Sequence, residues 1–167
     1  MTDEQIGHAM TDDEIASALD ANGHGVLSLG KDNRGYGVPI SYAYDVARDR
    51  IILEFVNLGE SKKAAFIESA EEVTLTVYTY EDPDTWESVI VTGPMRPLDG
   101  DDVSDRSAAK FFSQADDVAG ELRWRDSDDV DRRWYEIAPA DVSGRHGGTL
   151  PHQQSGGLLR FSKFTRR

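Results

Sequence analysis

Two long runs of β-forming residues joined by a turn restrict this chain more than any other feature. Val73, Leu75 and Val77 alternate with Thr74, Thr76 and Tyr78, and Thr79 and Tyr80 extend the run. A period of two in β-branched and aromatic residues marks a half-buried strand. Glu81 to Asp84 supplies the turn, and Trp86 to Leu98 returns as a second long strand, in which Gly93-Pro94 predicts a bulge or bend. An antiparallel hairpin of this length needs further strands to bury its apolar face. The chain offers them at Val26 to Leu29, Gly37 to Tyr44, Ile51 to Val56 and Trp134 to Pro139, separated by polar turns at Asp32 to Gly35 and Asp45 to Asp49.

Helical signals interrupt the strands at three places. Thr11 and Glu14 have capping-box spacing before Ile15 and Leu19, and the helix should end at Asn22-Gly23 and cover one end of the sheet. A second helix is predicted from Ser61 to about Ser69. A third follows the cluster Asp99 to Asp102 and carries Ala108, Ala109, Phe111 and Phe112. Five or six short strands with two or three helices make a mainly β fold with a few helices, a small antiparallel barrel.

At 167 residues the chain holds one domain with a real core. It has no cysteine, which excludes disulfides, thiolate metal sites and cysteine nucleophiles. Apolar runs are strand-length and the first ten residues are acidic and polar, so neither a membrane span nor a signal peptide is expected, and the expected location is the cytoplasm. The net charge is -13, with 20 Asp and 11 Glu dispersed along the chain against 13 Arg and 5 Lys. Dispersed aspartates with scarce lysine suit a surface adapted to high salt, as in a halophile, and argue against nucleic acid as a partner.

Against that acidity, the stretch Glu54 to Glu68 stands out. A strand ending at Phe55 and Val56 meets a turn at Asn57-Leu58-Gly59, then Ser61 as a helix cap, then Lys62 and Lys63. A helix start offers unpaired backbone N–H groups and partial positive charge, and a hydroxyl with two ammonium groups beside it makes a phosphate cradle. A solvated helix with lysines outside is the plainer alternative. In the strand from Gly37 to Tyr44, Pro39 removes a ladder donor, which suits an edge, a bulge, or a backbone turned toward a ligand.

The segment N-L-G-E-S-K-K-A-A-F-I-E resembles the N-L-G-S-R-K-A segment of the pyridoxamine 5′-phosphate oxidase superfamily, with one residue more before the serine. The resemblance runs from about Gly25 to Leu98 and implies a six-stranded antiparallel split β-barrel that binds FMN. It assigns the FMN phosphate to Ser61, Lys62 and Lys63, and the isoalloxazine ring to Val38, Pro39, Ile40 and Ser41. Phe55 and Val56 stand where the oxidases have Tyr-Thr, losing those hydroxyls, and Ser88 stands at the position of a flavin-contacting glutamine. Trp86 either stacks near the flavin or covers the hairpin. The resemblance further implies a homodimer with flavin at its interface and an oxidoreductase acting on a small molecule, the redox chemistry residing in the flavin. No catalytic residue or metal site is assigned. The C-terminal segments by which the oxidases hold the B6 vitamer have no counterpart, so vitamin B6 oxidation is not implied. A deazaflavin-dependent reductase, a haem-binding relative and a non-catalytic flavin-binding module stay as alternatives.

Three regions follow: residues 1–10 as a disordered N-terminus, 11–144 as the flavin-binding domain, and 145–167 as a basic, glycine-rich tail able to lie on the acidic body or a partner subunit. Within the domain, Asp116 to Arg133 reads as charged and irregular, anchored by Trp124. His146 and His152 in the tail show no ligand geometry.

Overall fold

The computed structural model describes residues 7–56, 59–119 and 131–148. Its strands are β1 (His8–Ala9), β2 (His24–Lys31), β3 (Arg34–Asp45), β4 (Arg50–Val56), β5 (Glu72–Asp82), β6 (Thr85–Leu98), β7 (Arg132–Ile137) and β8 (Asp141–His146). Its helices are α1 (Asp12–Ala21), α2 (Lys62–Ser69) and α3 (Asp105–Ala119), with a 3-10 turn at Gly100–Asp102.

Six strands close a ring in the order β6, β5, β2, β3, β4, β7 and back to β6. All the pairings are antiparallel. This is the antiparallel barrel expected from the strand pattern, in the split form that the resemblance implies, with β8 and then β1 added outside the ring on β6. The interior is filled by alternate residues: Leu27 and Leu29 of β2, Ile51, Leu53 and Phe55 of β4, Val73, Leu75 and Val77 of β5, Val89 and Val91 of β6. α1 begins at the expected capping box, Thr11 and Glu14 each bonding the other's backbone N–H. It buries Ile15, Ala18 and Leu19 in the core, and Tyr42 donates from its hydroxyl to the Leu19 carbonyl at 3.0 Å. Burial drives the Tyr42 phenol far above its ordinary range, so it stays a neutral donor.

Several expectations shift. Gly93-Pro94 does not interrupt the β5–β6 register, which runs through Val73–Gly93 and Glu72–Pro94; the irregularity lies at Tyr80/Asp82 instead. After Pro94, β6 leaves the β5 ladder and joins β7 from Met95 onward. The β7–β8 connection crosses there, with Ala138 N donating to Pro94 O at 3.1 Å and Ala140 N to Thr92 O at 2.9 Å. A side chain on Gly93 would overlap the Ala138 carbonyl oxygen, which is backbone and cannot swing aside. Gly93→Ala is therefore expected to cost about 1–3 kcal/mol of unfolding free energy. A denaturant midpoint equal to the parent's would show that the crossing is looser than drawn.

Order also extends past the expected ends. His8–Ala9 pairs with Arg145 and His146 of β8, a strand that lies where the domain was expected to close at Gly144. Trp86 sits beneath this seam: a Cβ on Gly7 would come within 2.6 Å of its ring, and Gly147 N donates to Trp86 O at 2.8 Å. α3 continues to Ala119, beyond the expected start of irregular chain at Asp116. Trp124, the turn residues Asn57 and Leu58, and the tail from 149 on lie outside the described residues.

Candidate functional site at the split between β3 and β4

The β3–β4 ladder pairs Tyr42 to Asp45 with Leu53 to Arg50 and ends there. Upstream, residues 34–41 of β3 pair only with β2, and Glu54, Phe55 and Val56 of β4 pair only with β7. The two strands thus diverge into an open wedge. Pro39 lies on its β3 side. Tyr42 N donates to Gly23 O at 2.8 Å, and counting back by twos along the antiparallel register puts the Pro39 backbone on the side away from β2. The proline therefore costs no ladder hydrogen bond and sits where backbone faces the wedge, the arrangement expected of it.

α2 closes the wedge. Ser61 caps it, its Oγ accepting from Ala64 N at 3.1 Å, and no acidic residue occupies its first turn. The backbone N–H groups of Lys62 and Lys63 have no partner within the helix, because the first turn has no preceding carbonyls. The two side chains straddle the opening. Lys62 Nζ lies 4.9 Å from the Tyr36 ring centroid of β3 and 5.8 Å from that of Phe66, and Lys63 Nζ lies 4.9 Å from the Phe55 ring centroid of β4. Neither ammonium has a carboxylate within ion-pair distance among the described residues. Burial against Phe55 lowers the Lys63 pKa from its ordinary value. Glu54, which could have neutralised the site, is engaged by Arg132 of β7 at 2.9 Å. Two unpaired ammonium groups, free N–H groups and a serine hydroxyl that can still donate fit a phosphate-bearing cofactor. Aromatic faces beneath both ammonium groups hold them in place.

The ten candidate residues do not all converge. Ser61, Lys62, Lys63 and Phe55 form one cluster, with Val56 beside them at the end of β4, 40% exposed. On β3, Val38 and Ile40 pack against the core, and Pro39 and Ser41 alternate to the outward face. Ser88 stands apart. It lies on β6, three strand spacings from β3, or about 14 Å, and faces outward beside Tyr78 and Arg145. One chain does not bring it to the wedge. Tyr36 was missed because it follows a turn cluster and carries no motif; only the fold sets it under Lys62.

No helix of the described residues is long and apolar enough to cross a membrane. No protein of curated function matches the sequence. Among solved structures, the fold is similar to a FAD-binding protein from Mesorhizobium loti, with TM-score 0.62, 22% identity, 84% of this chain and 98% of the other covered. A FAD-binding protein from Mycobacterium smegmatis is similar at TM-score 0.56 and 18% identity, over 83% of this chain and 96% of the other. A FAD- and haem-binding protein, also from Mycobacterium smegmatis, gives TM-score 0.59 and 13% identity, over 89% and 79%. The family model described as pyridoxamine 5′-phosphate oxidase matches residues 11–146, most of the chain and every strand of the ring. The chain belongs to the pyridoxamine 5′-phosphate oxidase-like family of flavin-binding split barrels.

Proposed function

We propose that this protein is a homodimeric flavoprotein that holds an FMN unit in the β3–β4 wedge and oxidises or reduces a small molecule. One observation carries the reading: Lys62 and Lys63 stand without acidic partners among the described residues on either side of an open strand edge, in a chain with 31 acidic residues. Apart from their contacts with aromatic rings, such cations cost the fold stability, since positive charge at a helix N-terminus opposes the dipole. A phosphate reverses the sign of that cost. Ser61, Lys62 and Lys63 would hold the phosphate; the Val38 to Ser41 edge, with Phe55 and Val56 opposite, would line the ring. A flavin supplies hydride and single-electron chemistry, and the protein's part is to bind it, orient it and exclude water. The direct test is visible absorbance. Purified or FMN-supplemented protein should be yellow and bind FMN tightly, and a colourless protein that takes up no FMN would end the proposal. FMN binding without accelerated turnover of a reduced nicotinamide and an acceptor would favour a non-catalytic flavin-binding module.

The second subunit is part of the same reading. On the outward face, Pro39, Val26, Thr76, Ile90 and Ser143 form one cross-strand row, and Gly37, Ser28, Thr74, Thr92 and Asp141 form the next. Val26 is 38% exposed, Ile90 43% and Tyr78 68%. Ten positions across five strands thus hold a single charge, on a molecule of net charge -13. Two like-charged copies meet with least repulsion on such a face, and a two-fold axis there would carry Ser88 of each chain toward the other's β3. Ile90→Glu is expected to convert a dimer to a monomer in sedimentation and to weaken FMN with it. A monomeric parent protein, or a dimer indifferent to the substitution, would remove this face from the proposal. The remaining surface, with Asp32, Asp82, Asp84, Asp99, Asp101 and Asp131 exposed, supports the high-salt reading.

A further inference from the structure

The short strand β1 sets two histidines side by side at the outer edge of the sheet. His8 and His146 are direct partners in the β1–β8 ladder, so their side chains leave the sheet on one face. Their ring centroids lie 5.5 Å apart with the planes tilted by 40°. The backbone beneath them is tied on both sides, Met10 N donating to Gly144 O at 2.9 Å and Gly147 N to Trp86 O at 2.8 Å. Gly7, just before His8, has a φ of 76°, and a Cβ there would come within 2.5 Å of the His146 carbonyl oxygen. Only glycine suits that approach. The tautomer of His146 follows from its neighbour. Its Nδ1 donates to the Gly147 carbonyl oxygen, which can only accept, so Nε2 keeps its lone pair. Among the described residues the His8 ring makes no hydrogen bond or ion pair, and its own lone pair is available. Glu87 completes the row on the β6 side of His146; it is 3% exposed, and its carboxylate accepts from Asn22 Nδ2 at 3.2 Å.

Such a pair fits a metal ion. At the usual Zn–N distance of about 2.0–2.1 Å, an ion shared by two imidazoles holds their centroids roughly 5–5.5 Å apart at tetrahedral to trigonal angles. Lone pairs lie in the ring planes, so tilted rings can converge on one point. The bond from His146 Nδ1 to a backbone carbonyl is the contact that orients a ligating imidazole and fixes which nitrogen binds. Imidazole selects zinc, copper and nickel, whereas magnesium and calcium take oxygen ligands. We propose that His8 and His146 form a divalent transition-metal site that clamps β1 to β8. Among the described residues no group of three or more His, Cys, Asp or Glu side chains is placed to hold a metal, so water fills the remaining positions. The site is thus an open surface clamp, not a closed structural centre. It lies on β8 and β1, with β6, β5 and β2 between it and β3, and it does not depend on the flavin reading.

The test is calorimetric titration of the untagged full chain with Zn²⁺, in excess Mg²⁺ so that the acidic surface is already occupied. The parent should take up one Zn²⁺ per chain. Losing a partner that merely orients a ligand costs roughly 10- to 100-fold in metal affinity, so losing a ligand should cost at least that. His8→Ala and His146→Ala should each weaken Zn²⁺ by about tenfold or more, and His24→Ala, at an exposed histidine elsewhere on the sheet, should not. With Cu²⁺ in place of Zn²⁺, the electron paramagnetic resonance spectrum should show two imidazole nitrogens on the metal in the parent and one in His8→Ala. Zn²⁺ should also raise the unfolding temperature of the parent and not that of His8→Ala, since an ion held only by the folded clamp stabilises it. If His146→Ala fails to fold, His8→Ala decides by itself, because His8 is exposed. Equal Zn²⁺ affinity in the parent and His8→Ala would place the metal elsewhere and overturn the inference. So would no uptake, or uptake that Mg²⁺ abolishes, which would show only the attraction of a chain of net charge -13 for any cation.

Discussion

Replacing Lys62 and Lys63 together by alanine is expected to weaken FMN by two to three orders of magnitude while leaving the flavin-free fold unharmed or steadier. A charge-assisted contact to phosphate is worth roughly 1.5–3 kcal/mol, or about ten- to a hundredfold for each lysine, and neighbouring contacts do not add fully. Stability should move the other way. Both ammonium groups sit in the first turn of α2, where positive charge opposes the helix dipole, and among the described residues neither has a carboxylate to offset it. Lys63 bears a further cost, because its partial burial lowers its pKa in the folded state. The folded chain therefore holds that proton less tightly than the unfolded chain. The penalty is fully present at neutral pH and relieved as pH rises through the lowered value. Binding has the opposite slope. FMN affinity should fall as pH rises through the Lys63 value, below the ordinary lysine range, and Lys63→Arg should flatten the fall. Riboflavin, which has no phosphate, is the control. Equal loss of riboflavin and FMN, or no loss of either, would show that these lysines do not hold a phosphate.

What the sequence made legible was local chemistry. Ser61 as a cap, the Thr11 and Glu14 capping box and the alternation in β5 need only neighbouring residues, and each appears as expected. Pro39 was legible too, because a missing donor limits where a strand residue can sit. The rest depended on distant partners. β8 reads D-V-S-G-R-H, without apolar alternation, and is a strand because the outer edge of β6 was available to pair it. Gly93-Pro94 looked like a bulge or bend because a glycine needed for close approach and a glycine needed for either of these are alike in sequence. Only the crossing of the β7–β8 connection separates the two. The site divides likewise. The cradle lies in one segment and could be named, whereas Tyr36 is set under Lys62 only by the packing of α2 on the hairpin. Ser88 was placed by the resemblance alone, and the fold leaves it three strands away from β3.

Arg50→Ala is expected to destabilise the fold by about 3–5 kcal/mol, the cost of stripping the cation from a buried ion cluster. The Arg50 side chain is 10% exposed and ties three segments: Nε to Asp45 at 3.2 Å, Nη1 to Glu136 at 2.7 Å, and Nη2 donating to the Asp102 carbonyl at 2.8 Å. It thereby fastens the β3–β4 turn to β7 and to the 3-10 turn before α3, at the end of the β3–β4 ladder opposite the wedge. Alanine leaves Asp45, 5% exposed, with only the long contact to the more exposed Arg48 at 3.4 Å, and leaves Glu136 beside it. Two carboxylates are then left side by side without the cation that offset their repulsion and desolvation. Replacing the set together, Arg50→Met with Asp45→Asn and Glu136→Gln, should recover much of the loss, since neutral groups need no cation. A single substitution that cost less than about 1 kcal/mol would mean that water already reaches the cluster and that the seam is held by the strand ladders alone.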